Sequence, residues 1–260
     1  MSDLTEHDYV GPHGLRVRGT VLVIPGRGET SHSYVRFGAR LAADAYRVRV
    51  LAAPELDADD LDASLDRLAA QIAEAISELE SSGPLARPLV LIGSDSGAAA
   101  LGALVARTQA SSASWWPQAL VLAGLPGYGA HESGAWDDEL DARTHCPVHR
   151  GVLTDDVQLQ RGTLADAIPA ALLDAVYGST VDLPHLLLIG DTDSFADHDE
   201  LARAAKALPK ARLTQVRGAH HDVVNDLQHR SVAAEVVIFL EALRDEAVLV
   251  PIVTVASSAW

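Results

Sequence analysis

Leu89-Val-Leu-Ile-Gly-Ser-Asp-Ser-Gly-Ala98 decides the fold. Leu89 to Ile92 is an unbroken apolar run, as in a strand buried on both faces. Small turn-forming residues follow, and Ala98 opens an alanine-rich stretch that favours helix from about Gly97 to Arg107. A buried strand that runs through a tight turn into a helix is the layout of an elbow carrying a nucleophile, usually written G-x-S-x-G. In the register Gly93-Ser94-Asp95-Ser96-Gly97 the central residue is an aspartate.

Such a turn leaves no room for a large Cβ two residues to either side of its apex. With Asp95 at the apex these neighbours are Gly93 and Gly97. With Ser96 at the apex they are Ser94 and Ala98, which is permitted but less compact. With Ser94 at the apex one of them is Ile92, which does not fit. The sequence therefore leaves Asp95 as the leading candidate and Ser96 as the alternative nucleophile.

Outward from the elbow, apolar runs alternate with helical patterns. Thr20–Ile24, Tyr46–Leu51, 88–93, Ala119–Ala123, His185–Ile189 and Arg212–Val216 read as strands. Between them, 31–44, Leu61–Leu79, Leu201–Leu208 and Ser231–Arg244 carry helical spacing. Strands alternating with helices predict an α/β fold with a mostly parallel sheet covered on both faces. Residues 1–126 and 184–246 form the expected core. The stretch 127–183 interrupts the alternation with mixed polar sequence and a short helical run at Pro169–Val176, and reads as a lid insertion. The last segment, 247–260, is apolar and β-branched and reads as an edge strand or a subunit contact.

Three segments fall at the carboxyl ends of predicted strands, where open α/β sheets hold their ligands. They are the elbow, the acidic turn Gly190-Asp-Thr-Asp193, and Gly218-Ala-His-His-Asp222. Their chain order is nucleophile, acid, histidine.

With these motifs the chain resembles the α/β-hydrolase fold superfamily, and locally its monoacylglycerol lipase and lysophospholipase branch. Pro25-Gly-Arg-Gly-Glu29 with Tyr34, Leu41 and Tyr46 is similar to that branch's H-G-x-G-E segment and the helix after it. Leu186–Asp193 is similar to its strand ending in G-x-x-D, and Gly218–Asp226 to its G-A-x-H-E-x-x-N-E segment. The likeness covers most of 19–126 and 185–244, and Asp95 falls where that branch has serine. It implies His221 as general base and Asp193 as its orienting carboxylate, with His220 and Asp191 as the competing choices.

An aspartate changes the reaction. Serine attacks an acyl carbon, whereas a carboxylate displaces a leaving group from saturated carbon and leaves an alkyl ester on the enzyme. His221 would then activate water against that ester, with the N–H groups of Arg27 and Ser96 as the oxyanion hole. Dehalogenases and epoxide hydrolases of this superfamily use aspartate so, but commonly follow it with tryptophan or arginine where this chain has Ser96. Their first loop usually reads H-G-x-P, against Pro25-Gly26-Arg27-Gly28 here. Arg27 is also a candidate for binding a substrate carboxylate. Tyr128 and Tyr177 are candidates to protonate an opening epoxide, and Trp136 to hold a halide. A serine esterase using Ser96, or a lyase, tailoring or binding protein on the same fold, are the competing readings.

Composition sets outer bounds. The 260 residues are 48% hydrophobic, with a formal net charge of −16 and a pI near 4.9. That charge argues against nucleic acid or an anionic membrane as partner. No stretch reaches the ~18 apolar residues of a membrane helix, and Met1–Val10 lacks the basic and apolar regions of a signal peptide. A cytoplasmic enzyme with a small-molecule substrate and no cofactor is the expectation, with a homo-oligomer built through 247–260 as a further option. Cys146, the single cysteine, excludes an intrachain disulfide. It lies in His145-Cys-Pro-Val-His149, which offers metal-ligand side chains. Pro147 and the lack of a partner cluster favour a structural loop, and no metal is expected.

Overall fold

In the computed structural model, which describes residues 7–108, 113–129, 134–244, 249–254 and 256–258, the chain forms one seven-stranded sheet with helices on both faces. In chain order the elements are β1 (Asp8–Tyr9), β2 (Gly19–Ile24), α1 (Val35–Ala43), β3 (Tyr46–Val50), α2 (Leu61–Ser81), β4 (Leu89–Ser94), α3 (Ser96–Arg107) and β5 (Ala119–Ala123). Then come α4 (Trp136–Arg143), α5 (Pro147–Asp155), α6 (Ala170–Tyr177), β6 (His185–Gly190), α7 (His198–Ala207), β7 (Ala211–Val216) and α8 (His229–Arg244). The sheet order is β1-β3-β2-β4-β5-β6-β7, parallel except for β1, which pairs antiparallel with β3 at the edge. This is the mostly parallel α/β architecture that the alternating pattern predicts, and the α/β-hydrolase fold that the resemblance implies.

Continuous apolar strands make two cores, because successive side chains point to opposite faces. Leu22, Ile24, Leu89, Leu91, Leu120, Leu122 and Leu187 meet α2, α3, α6 and α7 on one side. Val21, Val23, Val90, Ile92, Val121, Leu186 and Leu188 meet α1 and α8 on the other. Each such fully buried side chain contributes ~1.5–3 kcal/mol.

Between β5 and β6, helix α6 belongs to the first core, through Leu172, Leu173, Val176 and Tyr177. The stretch 134–168 instead makes a small cluster of its own, with Leu140, Leu153, Leu159 and Trp136. It is tied to the first strand-end loop by the Gln160 N–H, which donates to the Gly28 carbonyl at 3.0 Å.

One expectation is corrected. Pro147 does not make a loop: it opens α5, where its missing N–H costs nothing and its fixed φ suits the first turn. The C-terminal segment forms no strand among its described residues. Leu249 packs against the α8 face while Val250, Ile252 and Val253 lie exposed; positions 247, 248, 255, 259 and 260 are outside the described residues.

Candidate active site

The elbow's apex is Asp95. Its backbone sits at φ 48° and ψ −120°, a conformation non-glycine residues rarely adopt and one that stores ~1–3 kcal/mol of strain. The flanking glycines explain how the turn closes. A Cβ on Gly93 would stand 2.6 Å from the Ala98 Cα, and one on Gly97 would stand 2.4 Å from the Pro25 carbonyl oxygen. Asp95 precedes the first turn of α3, where an aspartate side chain usually caps the helix. Here it makes no cap bond and turns away from α3 toward the β2 and β7 loops.

Its two oxygens have different surroundings. Oδ2 accepts from the Arg27 backbone N–H at 2.8 Å. Oδ1 lies 3.1 Å from His221 Nε2, out of line for a hydrogen bond, so the contact is electrostatic. The Arg27 guanidinium covers both, with Nη2 2.6 Å from Oδ1 and Nε 2.9 Å from Oδ2. The Ser96 N–H makes no hydrogen bond to this carboxylate.

On the other side of the ring, His221 Nδ1 lies 3.0 Å and 3.1 Å from the two Asp193 oxygens. Asp193 also accepts from the Phe195 N–H at 2.9 Å, which fixes its carboxylate in the β6 loop. His221, Asp193 and Asp95 are all buried. Burial alone would lower the His221 imidazolium, but the Asp193 and Asp95 carboxylates outweigh it and push the pKa up to about 10. Burial alone would raise the Asp95 carboxyl, but the Arg27 charge and the His221 contact hold it well below the usual carboxylate range.

The competing residues are engaged elsewhere. Asp191 accepts from the Gly218 N–H. His220 Nδ1 pairs with Asp226 at 2.9 Å, and its ring lies against His145. The Ser96 hydroxyl is not hydrogen-bonded to His221; Ser96 begins α3 and lines the neighbouring cavity. Tyr177 is buried with its hydroxyl donating to the Pro126 carbonyl, and Tyr128 donates to Asp174. Trp136 packs in the 134–168 cluster with Arg161 over its ring. The structure therefore gives neither tyrosine hydroxyl nor the indole a place at the Asp95 carboxylate.

Sequence reasoning missed what holds the first loop. Arg143, at the end of α4, is fully buried. Nη2 donates to the Arg27 carbonyl at 2.8 Å, Nε to Glu139 at 3.0 Å, and Nη1 lies 3.5 Å from Asp222. The same peptide unit series that offers its N–H to Asp95 is thus held at its carbonyl by a buried cation. The Asp222 carboxylate in turn accepts from His149 Nε2 at 2.8 Å, and Asp226 accepts from the Thr144 hydroxyl and the N–H groups of His145 and Cys146. No periodicity marks these contacts in the sequence, since they join helices of the insertion to the histidine loop.

The His145, Cys146 and His149 side chains do not converge: they face His220, Arg36 and Asp222 respectively. Glu29, His149 and Asp222 do bring one ligand atom each within 4.8 Å of one another. Arg143 lies beside them and already supplies positive charge to this cluster, which weighs against a metal cation there. Burial and the Asp222 charge raise the Glu29 carboxyl, while for Asp222 the effect of burial is outweighed by Arg143 and His149, which lower it.

Beside Arg27 opens a cavity of about 530 Å³. Its wall includes Thr30, Leu56, Ser96, Gln158, Gln160, Thr163 and Asp166, so the first loop forms one side and the 134–168 stretch the other. Among the described residues no helix is long and apolar enough to cross a membrane.

No protein-family model and no curated protein sequence matches this chain. Solved structures do. A soluble variant of monoglyceride lipase from Saccharomyces cerevisiae aligns at TM-score 0.70 and 15% identity, covering 91% of this chain and 90% of its own. The monoacylglycerol lipase of Paleococcus ferrophilus aligns at TM-score 0.65 and 14% identity, covering 92% and 98%. The enol-lactonase of Burkholderia xenovorans aligns at TM-score 0.62 and 15% identity, covering 90% and 96%. At these identities the likeness is one of fold, which fixes no chemistry by itself.

Proposed function

We propose that this chain is a hydrolase that acts on a small organic molecule through a covalent ester on Asp95. One observation carries the reading: Asp95 occupies the strained apex of the elbow, with one oxygen on a backbone N–H and the other facing a histidine that is backed by Asp193. Ser96 has the position of neither apex nor histidine partner, so a serine esterase is the less favoured reading.

The asymmetry of the carboxylate assigns the steps. Oδ1 attacks a saturated carbon bearing a halide or an epoxide oxygen; the C–Oδ1 bond forms and the leaving group departs with the electron pair. His221 is protonated at rest, so an epoxide oxygen takes its proton from Nε2 and leaves the imidazole neutral. Esterification also removes the Asp95 charge that helped keep His221 protonated, so after halide displacement, where the leaving anion takes no proton, the imidazolium releases its proton to solvent before it acts as base. Neutral His221 then takes a proton from water while the water oxygen bonds to Cγ of Asp95. The oxyanion forms at Oδ2, where the Arg27 N–H already lies. Collapse breaks the Cγ–Oδ1 bond, the product oxygen takes the proton from His221, and the remaining carboxylic acid proton returns to the imidazole.

The 134–168 stretch serves as the lid in this reading, since it supplies Arg143 behind the oxyanion loop and one wall of the cavity. A single turnover in ¹⁸O-water tests the proposal. With an epoxide or haloalkane panel, the first turnover should place ¹⁸O in the Asp95 peptide and none in the product alcohol. Label in the product with an unlabelled Asp95 peptide would refute an aspartyl ester.

A further inference from the structure

The Arg27 side chain obstructs the reaction as well as supporting it. Nη2 stands 2.6 Å from Oδ1, and Nε reaches both oxygens at 3.1 Å and 2.9 Å. Oδ1 needs a free lone pair directed at carbon, and the guanidinium occupies that approach. It is also well buried, its side chain 10% exposed. Its remaining contacts are a donation from Nη1 to the Asp166 carbonyl and a position over the Phe195 ring, 5.8 Å from its centroid.

From this geometry we infer that the substrate carries its own anionic group, a carboxylate, which takes the Arg27 guanidinium from Asp95 as it binds. The inference rests on the Asp95 ester reading and names its substrate class. A neutral electrophile would have to break a bidentate charge-assisted pair and offer nothing in return. A carboxylate replaces it in kind: the planar fork that now grips Asp95 grips the substrate. The local pairing points the same way: an ester on Asp95 removes the carboxylate charge that faces the Arg27 guanidinium, and a substrate carboxylate would replace it.

A cavity adjoins the guanidinium, lined by Arg27 and by Ser96, the residue after Asp95. Among the described residues Arg27 is the single basic residue on the wall of the 530 Å³ cavity, whose other polar side chains include the neutral Thr30, Ser96, Gln158, Gln160 and Thr163. The acidic residues Glu29, Glu55 and Asp166 also line it; Glu29 is engaged by the Gly26 N–H and the Tyr34 hydroxyl, and the Asp166 side chain is the rival acceptor for a displaced guanidinium. If Arg27 moved there, a substrate charge would be unnecessary.

The test uses a His221→Gln enzyme, in which the ester should persist, with 2-bromopropanoate and its uncharged amide as paired probes, because displacement of halide needs no proton from His221. Alkylation of Asp95 is followed by mass. The acid should half-saturate labelling at a concentration about tenfold or more below that for the amide. Adding Arg27→Gln, which keeps the backbone N–H, should erase the difference, and Arg27→Lys should restore part of it. Melting curves of each variant confirm that it is folded. Equal labelling by acid and amide, or a preference that survives Arg27→Gln, overturns the anionic substrate while leaving Asp95 as nucleophile. Labelling of Asp95 by neither probe, with Ser96 modified instead, overturns the reading beneath it.

Discussion

Arg27 binds Asp95 twice over, from its backbone N–H at 2.8 Å and from its guanidinium at 2.6 Å. In the proposed mechanism this one residue would supply both the donor that the oxyanion needs and the cation that restrains the attacking oxygen, to be released by a ligand that competes for the guanidinium.

The His221 charge links this site to stability. The folded pKa of about 10 lies above the ordinary histidine value of 6.5. A raised pKa contributes stability that is fully present below about pH 6.5 and is lost as pH rises through about 10. The size is on the order of a few kcal/mol. The melting temperature of the wild-type chain should therefore fall between about pH 7 and pH 10.5 by several degrees more than that of His221→Gln. Parallel curves for the two proteins would show that His221 is neutral throughout.

Arg143 should prove as important to folding as any core leucine. Arg143→Met leaves Glu139 and Asp222 buried without their cation and frees the Arg27 carbonyl. A loss of about 3–5 kcal/mol is expected, read as a lower urea midpoint with unchanged slope. Arg143→Lys should recover only part, because an ammonium cannot span the same acceptors in a plane.

Glycines divide by what surrounds them. Gly97→Ala forces a Cβ to 2.4 Å from the Pro25 carbonyl and 2.5 Å from the Ile24 carbonyl, both backbone atoms. It should cost at least about 1–3 kcal/mol and displace the first loop. Gly151→Ala on α5 meets nothing within 4 Å, and should be neutral or gain about 0.5–1 kcal/mol from helix propensity. Thermal denaturation of the pair separates crowding from backbone entropy.

The fold was legible because buried parallel strands read as continuous apolar runs, and β2, β4, β5 and β6 are such runs. The placement of Asp95, Asp193 and His221 was legible for a related reason: each lies in the loop after a parallel strand, so strand order brings the three loops to one edge. Asp95 over Ser96 was readable from Gly93 and Gly97, which the turn needs. What stayed hidden came from 134–168. Arg143, His149 and Glu139 meet Glu29 and Asp222 through tertiary packing, with partners dozens of residues away and no repeat to signal them. Pro147 misled because proline suits the first turn of a helix as well as a loop. Tyr128, Tyr177 and Trp136 were picked by residue type, and packing uses all three elsewhere.

The most direct measurement is the intact mass of His221→Gln after exposure to a panel of haloalkanes and haloalkanoates, followed by peptide mapping. The account predicts a mass increase of one substrate, located on Asp95 and absent from a His221→Gln, Asp95→Asn double variant. An adduct on Ser96, or undiminished turnover by Asp95→Asn alone, would contradict it.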